Sequence, residues 1–119
     1  MKKLSIIFSV PLLPPSLNVM LRTHWRKRQL EQNRWDFLIM TQWLRFNKAI
    51  IFKPVKITYT LTFAKRRNRD FDNYIGGTKY ITDALKRTFL LRDDSNWLRK
   101  VEVEFKEGNP ETNIKIEEI

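Results

Sequence analysis

Two aspartates stand one residue apart in Asp70-Phe71-Asp72, directly after a basic run made of Lys65, Arg66, Arg67 and Arg69. Carboxylates are the oxygen donors that hard divalent cations prefer, and Mg²⁺ is the usual means of neutralising two acids held close together. If the chain runs extended here, side chains alternate with period two, so Asp70 and Asp72 share one side and Phe71 takes the other. The basic run then has a complementary task, drawing in a phosphate backbone against which the metal acts. The bland alternative is an exposed salt-bridge cluster, in which each ion pair is worth about 0–1 kcal/mol. Both readings stand at this point.

Charge and composition narrow the choice of partner. The chain has 119 residues and a net charge of +10. Residues 1–92 carry 19 Lys and Arg against 5 Asp and Glu, whereas residues 93–119 carry 4 against 8. A basic excess confined to one part of a chain fits a polyanion that releases counterions on binding, and nucleic acid is the expected partner. Cysteine is absent and there is a single histidine, His24. Thiolate metal sites, disulfides, a cysteine nucleophile and a histidine cluster are therefore excluded, and a cytosolic setting is expected. The start, MKKLSIIFSVPLLPPSLN, has the charged tip and apolar run of a signal peptide but no small-residue cleavage site, so it reads as a strand. No apolar run approaches the ~20 residues of a membrane span.

The elements that must position these groups follow from periodicity. Leu4, Ile6, Phe8 and Val10 share a face, with Ile7 on the other, the pattern of a strand buried well inside a sheet. Pro11, Pro14 and Pro15 break it. A long helix is expected from about Thr23 to before Pro54, with Trp35, Leu38, Ile39, Trp43 and Phe46 as its inner stripe. Arg26, Lys27, Arg28 and Arg34 crowd its first half, where positive charge opposes the helix dipole and a phosphate partner would relieve it. Val55 to Phe63 alternates as a strand with one wet face. A second helix is expected after Asn73 to about Thr88, with Ile81, Ala84, Leu85 and Thr88 inward. Gly76 and Gly77 in its path point to a late helix start, taken here over a close backbone approach. Asp83 reads as a surface or capping residue. A strand from Trp97, a turn at KEGNPE and a last strand, NIKIEE, complete the plan. The expected fold is α+β, one domain over 1–119 in the order β-α-β-α-β-β, a small mixed sheet packed by two helices.

The acidic sites Asp70, Asp72 and the Asp93-Asp94 pair all lie at the ends of elements, beside loops, where functional groups concentrate. In order, RRNRDFDN, KYITDALK and LLRDD resemble the RusA family of Holliday junction resolvases, as do LPPSLN near the start and the alternating strand before the aspartates. The likeness spans nearly the whole chain. It implies a small, dimeric, Mg²⁺-dependent endonuclease of bacterial, phage or prophage setting, acting on four-way DNA junctions. By resemblance the metal-binding aspartates fall on Asp70, Asp72 and Asp94, and the functionally important lysine on Lys79, which precedes DALK in the family's register. The segment YIGGT between Asn73 and Lys79 is longer than the family pattern.

The mechanism so implied is metal-assisted hydrolysis of a phosphodiester. Asp70, Asp72 and Asp94 hold Mg²⁺, Lys79 neutralises charge building on the phosphorus, and Lys65, Arg66, Arg67 and Arg69 hold the DNA. A four-way junction is two-fold symmetric and needs paired nicks, while this chain has room for one such site, so a homodimer is expected. The rival readings are a noncatalytic nucleic-acid-binding protein and a related nuclease for other branched DNA.

Overall fold

A computed structural model of the chain describes residues 4–64, 71–90 and 97–119, giving the backbone alone for residues 17 and 71–73. The class is mixed α+β, as expected. The described residues group into a strand unit (4–13, 51–64 and 97–119) and a helical unit (14–50 and 71–90).

The strand unit is one four-stranded sheet of β1 (Ser5–Val10), β2 (Val55–Phe63), β3 (Leu98–Glu107) and β4 (Glu111–Glu118), in spatial order β1-β4-β2-β3. β4 pairs antiparallel with both β1 and β2, and β2 pairs parallel with β3. β1, β2 and β4 alternate, so one face gathers Ile6, Phe8, Val10, Val55, Ile57, Tyr59, Leu61, Phe63, Ile114 and Ile116, all buried, while β3 at the other edge buries none of its residues fully. Removing such side chains from water is worth about 1.5–3 kcal/mol each, which pins the register, because a one-residue slip would invert every strand. The opposite face of β2 carries Lys56 and three threonines, half-exposed. Lys56 Nζ reaches Glu102 on one neighbour at 3.7 Å and Glu117 on the other at 3.9 Å.

One expectation about the sheet changes. β1 was expected deep within it, yet it is an edge strand, and Ile7 on its second face is exposed. The inner place goes to β4, which can pair with β1 and β2 at once because it runs antiparallel to both. The turn at KEGNPE joins strands that are not neighbours, since β2 lies between β3 and β4. Residues 108–110 arch over the end of β2, and the Gly108 amide donates to the Phe63 carbonyl at 2.9 Å. Gly108 has φ +157°, and a Cβ there would press on the Thr62 methyl at 3.2 Å, so glycine suits the arch.

In the helical unit both expected helices are present with changed bounds. The first is α2 (Trp25–Arg45), which ends well short of Pro54 and is preceded by an unexpected short helix, α1 (Leu17–Arg22), whereas the second is divided into α3 (Phe71–Gly77) and α4 (Lys79–Lys86). α1 begins at Ser16, whose hydroxyl accepts from the Val19 amide at 3.4 Å, and it ends where Thr23 turns extended. α2 restarts at His24, with Nδ1 accepting from the Arg26 amide. It closes through Asn47 and Lys48, both left-handed at φ 57° and 54°. Trp35 and Ile39 are fully buried on α2, as are Ile81, Ala84 and Leu85 on α4. The second predicted stripe is buried throughout, Thr88 included, whereas in the first Leu38, Trp43 and Phe46 are half-buried. Gly77 shows the close approach rather than the late start: an added Cβ would lie 1.8 Å from the Pro15 carbonyl oxygen. Among the described residues, no helix is long and apolar enough to cross a membrane.

Candidate functional site

Lys79 is the first residue of α4, and four-residue spacing puts Lys79, Asp83 and Arg87 along one face. α2 presents Trp25, Arg28, Gln29 and Gln32 to the same space, and Met20 of α1 closes an end. Together with Tyr80 they line a cavity of about 400 Å³. That size falls within the roughly 300–1,000 Å³ usual for small-molecule sites.

The cavity wall is built by a short polar network. Gln32 Nε2 donates to the Tyr80 carbonyl at 3.0 Å and to Asp36 Oδ1 at 2.9 Å. Arg87 Nη1 donates to both oxygens of Asp36 at 2.7 Å. Asp36 thereby balances Arg87. Among the described residues, the side chains of Lys79 and Asp83 make neither a hydrogen bond nor an ion pair. With Arg87 balanced by Asp36, two further cations, Arg28 and Lys79, face a cavity that holds one carboxylate, Asp83. A phosphate fits such a balance, while the N–H groups of Gln32 are taken by Asp36 and the Tyr80 carbonyl and Gln29 Nε2 donates to Asn33 Oδ1 at 2.9 Å.

The rim continues the same chemistry. Trp25 is 60% exposed, with the Arg26 guanidinium 5.4 Å from its ring centre and His24 tilted against it at 5.6 Å. Exposed aromatic rings among basic side chains are platforms on which nucleic-acid bases stack. Tyr80 is buried beneath, and its phenol is held above the usual tyrosine range by burial first and by Glu31 second, with Arg28 acting in the opposite sense. A smaller cavity of about 160 Å³ lies on the Glu31 side, lined also by Lys27, Arg28 and Tyr80.

Of the residues predicted for the site, Lys79 is placed in full, exposed at the head of α4. For Asp72 the backbone is described, in the first turn of α3. Asp70, Asp94, its neighbour Asp93, and Lys65, Arg66, Arg67 and Arg69 lie outside the described residues. One expectation is corrected. Phe71 and Asp72 are helical, so the period-two alternation that was to set Asp70 and Asp72 on one side does not continue through them. Local chemistry favours the helix start, since an aspartate in the first turn, here Asp72, meets the positive end of the helix dipole.

The donor set expected for Mg²⁺ is all carboxylate, the set a hard cation takes. No group of three His, Cys, Asp or Glu that could hold a metal occurs among the described residues. The roles of Trp25, Gln29, Gln32 and Arg87 were missed in the sequence. The 79-83-87 spacing was a signal for Arg87, whereas the α2 contribution depends on the pairing of α2 with α4, which no local pattern carries. The chain matches no family model and no curated protein.

Proposed function

We propose that the chain is a Mg²⁺-dependent, structure-selective endodeoxyribonuclease that resolves Holliday junctions by paired nicks, working as a homodimer in the cytosol of a bacterial, phage or prophage setting. The observation that carries the reading is the ordered series RRNRDFDN, KYITDALK and LLRDD, which resembles the RusA family, in a chain of net charge +10. The cationic cavity beside Lys79 supports it.

Asp70, Asp72 and Asp94 would hold Mg²⁺, which when bound supplies Lewis acidity toward a phosphate oxygen. The protein's own groups do the rest. Lys65, Arg66, Arg67 and Arg69 neutralise backbone phosphates and bring the DNA to the site. Lys79, exposed and without a partner among the described residues, neutralises negative charge as it builds on the phosphorus in the transition state. Arg28 and Arg87 hold an adjoining phosphate, and Trp25 offers a stacking surface at the rim. In hydrolysis, water adds to phosphorus and the bond to the 3′ oxygen breaks, so no side chain needs to become a covalent nucleophile.

The deciding experiment compares a fixed four-way junction with linear duplex of the same sequence, with and without Mg²⁺. Paired nicks confined to the junction and to Mg²⁺ are expected. Tight junction binding with no cleavage under any divalent metal would replace this reading with that of a noncatalytic binder, and equal cleavage of flaps and forks would make it a broader branched-DNA nuclease.

A further inference from the structure

Asp83 is the charged side chain of the cavity to which phosphate binding gives no task. It lies on α4 between Lys79 and Arg87, four residues from each. That spacing often pairs an acid with a base along a helix. Here Arg87 is taken by Asp36, and the Asp83 side chain bonds to neither neighbour among the described residues. A carboxylate that a ligand covers loses its water, so the ligand itself must bring hydrogen-bond donors to it.

The rest of the lining defines that ligand. Arg28 on α2 and Lys79 on α4 supply the positive charge that suits one phosphate. Trp25 is 60% exposed, with the Arg26 guanidinium 5.4 Å from its ring centre, and offers a platform for one base. A volume of about 400 Å³ admits a single nucleotide and not a duplex.

Hydrogen-bond chemistry then selects the base. Along its Watson–Crick edge guanine presents N1–H and the N2 amino group side by side, two donors that match the two oxygens of a carboxylate. Adenine and cytosine present one amino donor beside a bare ring nitrogen, whose lone pair a carboxylate repels. Thymine presents one N–H between two carbonyl oxygens. Guanine alone satisfies both oxygens of Asp83. In a duplex that edge is occupied by cytosine, so the nucleotide must be unpaired, as it is in a single strand or where a duplex frays.

We infer that the cavity lined by α2 and α4 binds one unpaired guanine nucleotide, with Asp83 accepting from N1–H and N2 of the base, Trp25 stacking on its ring, and Arg28 with Lys79 holding its phosphate. The inference rests on the nucleic-acid reading of this cavity given above and adds base selection to it.

Deoxynucleoside monophosphates test it without any cleavage. Calorimetry on the intact chain should show deoxyguanosine monophosphate bound about tenfold or more tightly than the adenine, cytosine and thymine nucleotides. The hypoxanthine nucleotide, which lacks the N2 amino group, should bind more weakly than the guanine one. Asp83→Asn replaces one acceptor by a donor, the pattern that adenine matches, so it should lower guanine affinity about tenfold and reverse the order of guanine and adenine. A merely structural role for Asp83 would weaken all four nucleotides together and would overturn the assignment. The wild-type comparison decides the matter even where the variant fails to fold.

A second arm separates the two sources of guanine. Competition by a thymine single strand with one central guanine assigns the site to DNA, and mononucleotide binding without such competition assigns it to a free nucleotide, each upholding the guanine site. Equal affinity for all four nucleotides would overturn base selection. Absence of mononucleotide binding at millimolar concentration, with junction binding intact, would overturn the pocket while leaving the nuclease standing. Failure of the nuclease reading is seen separately, as absent junction cleavage by the wild-type chain with Mg²⁺.

Discussion

Arg87 reaches Asp36 through a single nitrogen, Nη1, which donates to both carboxylate oxygens at 2.7 Å. Asp36 also accepts from Gln32, whose amide is shared with the Tyr80 carbonyl, so one carboxylate ties α2 to α4 along the cavity wall. Arg87 is 57% exposed in its side chain and Asp36 30%. Exposed pairs of this kind contribute little alone, about 0.2–1 kcal/mol. Asp36→Ala strips partners from both Arg87 and Gln32, so it should destabilise the fold more than Arg87→Ala does. A double-mutant cycle followed by urea unfolding should give a coupling of about 0.5 kcal/mol, reduced in high salt.

Gly77 closes α3 against the Pro15 backbone, with no room for a methyl group. Gly77→Ala should cost about 3 kcal/mol or more, because the atom in the way is a carbonyl oxygen and cannot swing aside. Thermal unfolding would register the loss as a lowered midpoint. An unchanged midpoint would mean that the α1 and α3 segments separate more easily than their packing implies.

Tyr80 provides a pH signature. Its phenol is raised above the ordinary tyrosine value by burial and then by Glu31, so the folded chain holds the proton more tightly than the unfolded chain. The contribution is present in full below the unfolded value, near pH 10, and is lost as pH rises through the folded value. Stability of the wild-type chain should fall across that alkaline range, and the fall should be smaller in Tyr80→Phe. Parallel decline of both proteins in urea titrations between pH 8.5 and pH 11 would assign the loss to other groups.

Binding and cutting should separate at the aspartates. Asp70→Asn and Asp72→Asn preserve shape while removing a negative charge from the proposed metal site, so on that proposal cleavage should collapse and junction binding should persist or tighten as repulsion of phosphate falls. Gel-shift and cleavage assays on the same junction test this. Loss of both together would point to a structural role, for which Asp72 in the first turn of α3 is well placed.

Lys79 and the phosphate-gripping residues should fail in different ways. Lys79→Ala should lower the single-turnover rate at saturating protein and leave the salt dependence of binding nearly unchanged. Arg28→Ala, or alanine at two of Lys65, Arg66, Arg67 and Arg69, should weaken binding and flatten the plot of log affinity against log salt by about 0.9 per lost contact on duplex arms. Normal cutting by Lys79→Ala with a flattened slope would move Lys79 into the gripping set, beside its cavity neighbours Arg28 and Arg87.

By itself the sequence determined the α+β class, the faces of the strands and the inner stripes of the helices. Val55 to Phe63, Trp35 with Ile39, and Ile81 with Ala84 and Leu85 were legible because burial leaves a period of two or 3.6 on the chain. The motif residues were legible as types and order, and Lys79 was found at a helix start. The tertiary structure decided what depends on partners far away in sequence. β4 takes the inner place and sends β1 to the edge, because pairing is settled between strands and each strand's own pattern is satisfied either way. Gly77 is required by Pro15, which stands far before it in the chain. The cavity arises where Gln32 and Asp36 of α2 meet Tyr80 and Arg87 of α4, and long-range hydrogen bonds of that kind leave no periodic trace in the residues that make them.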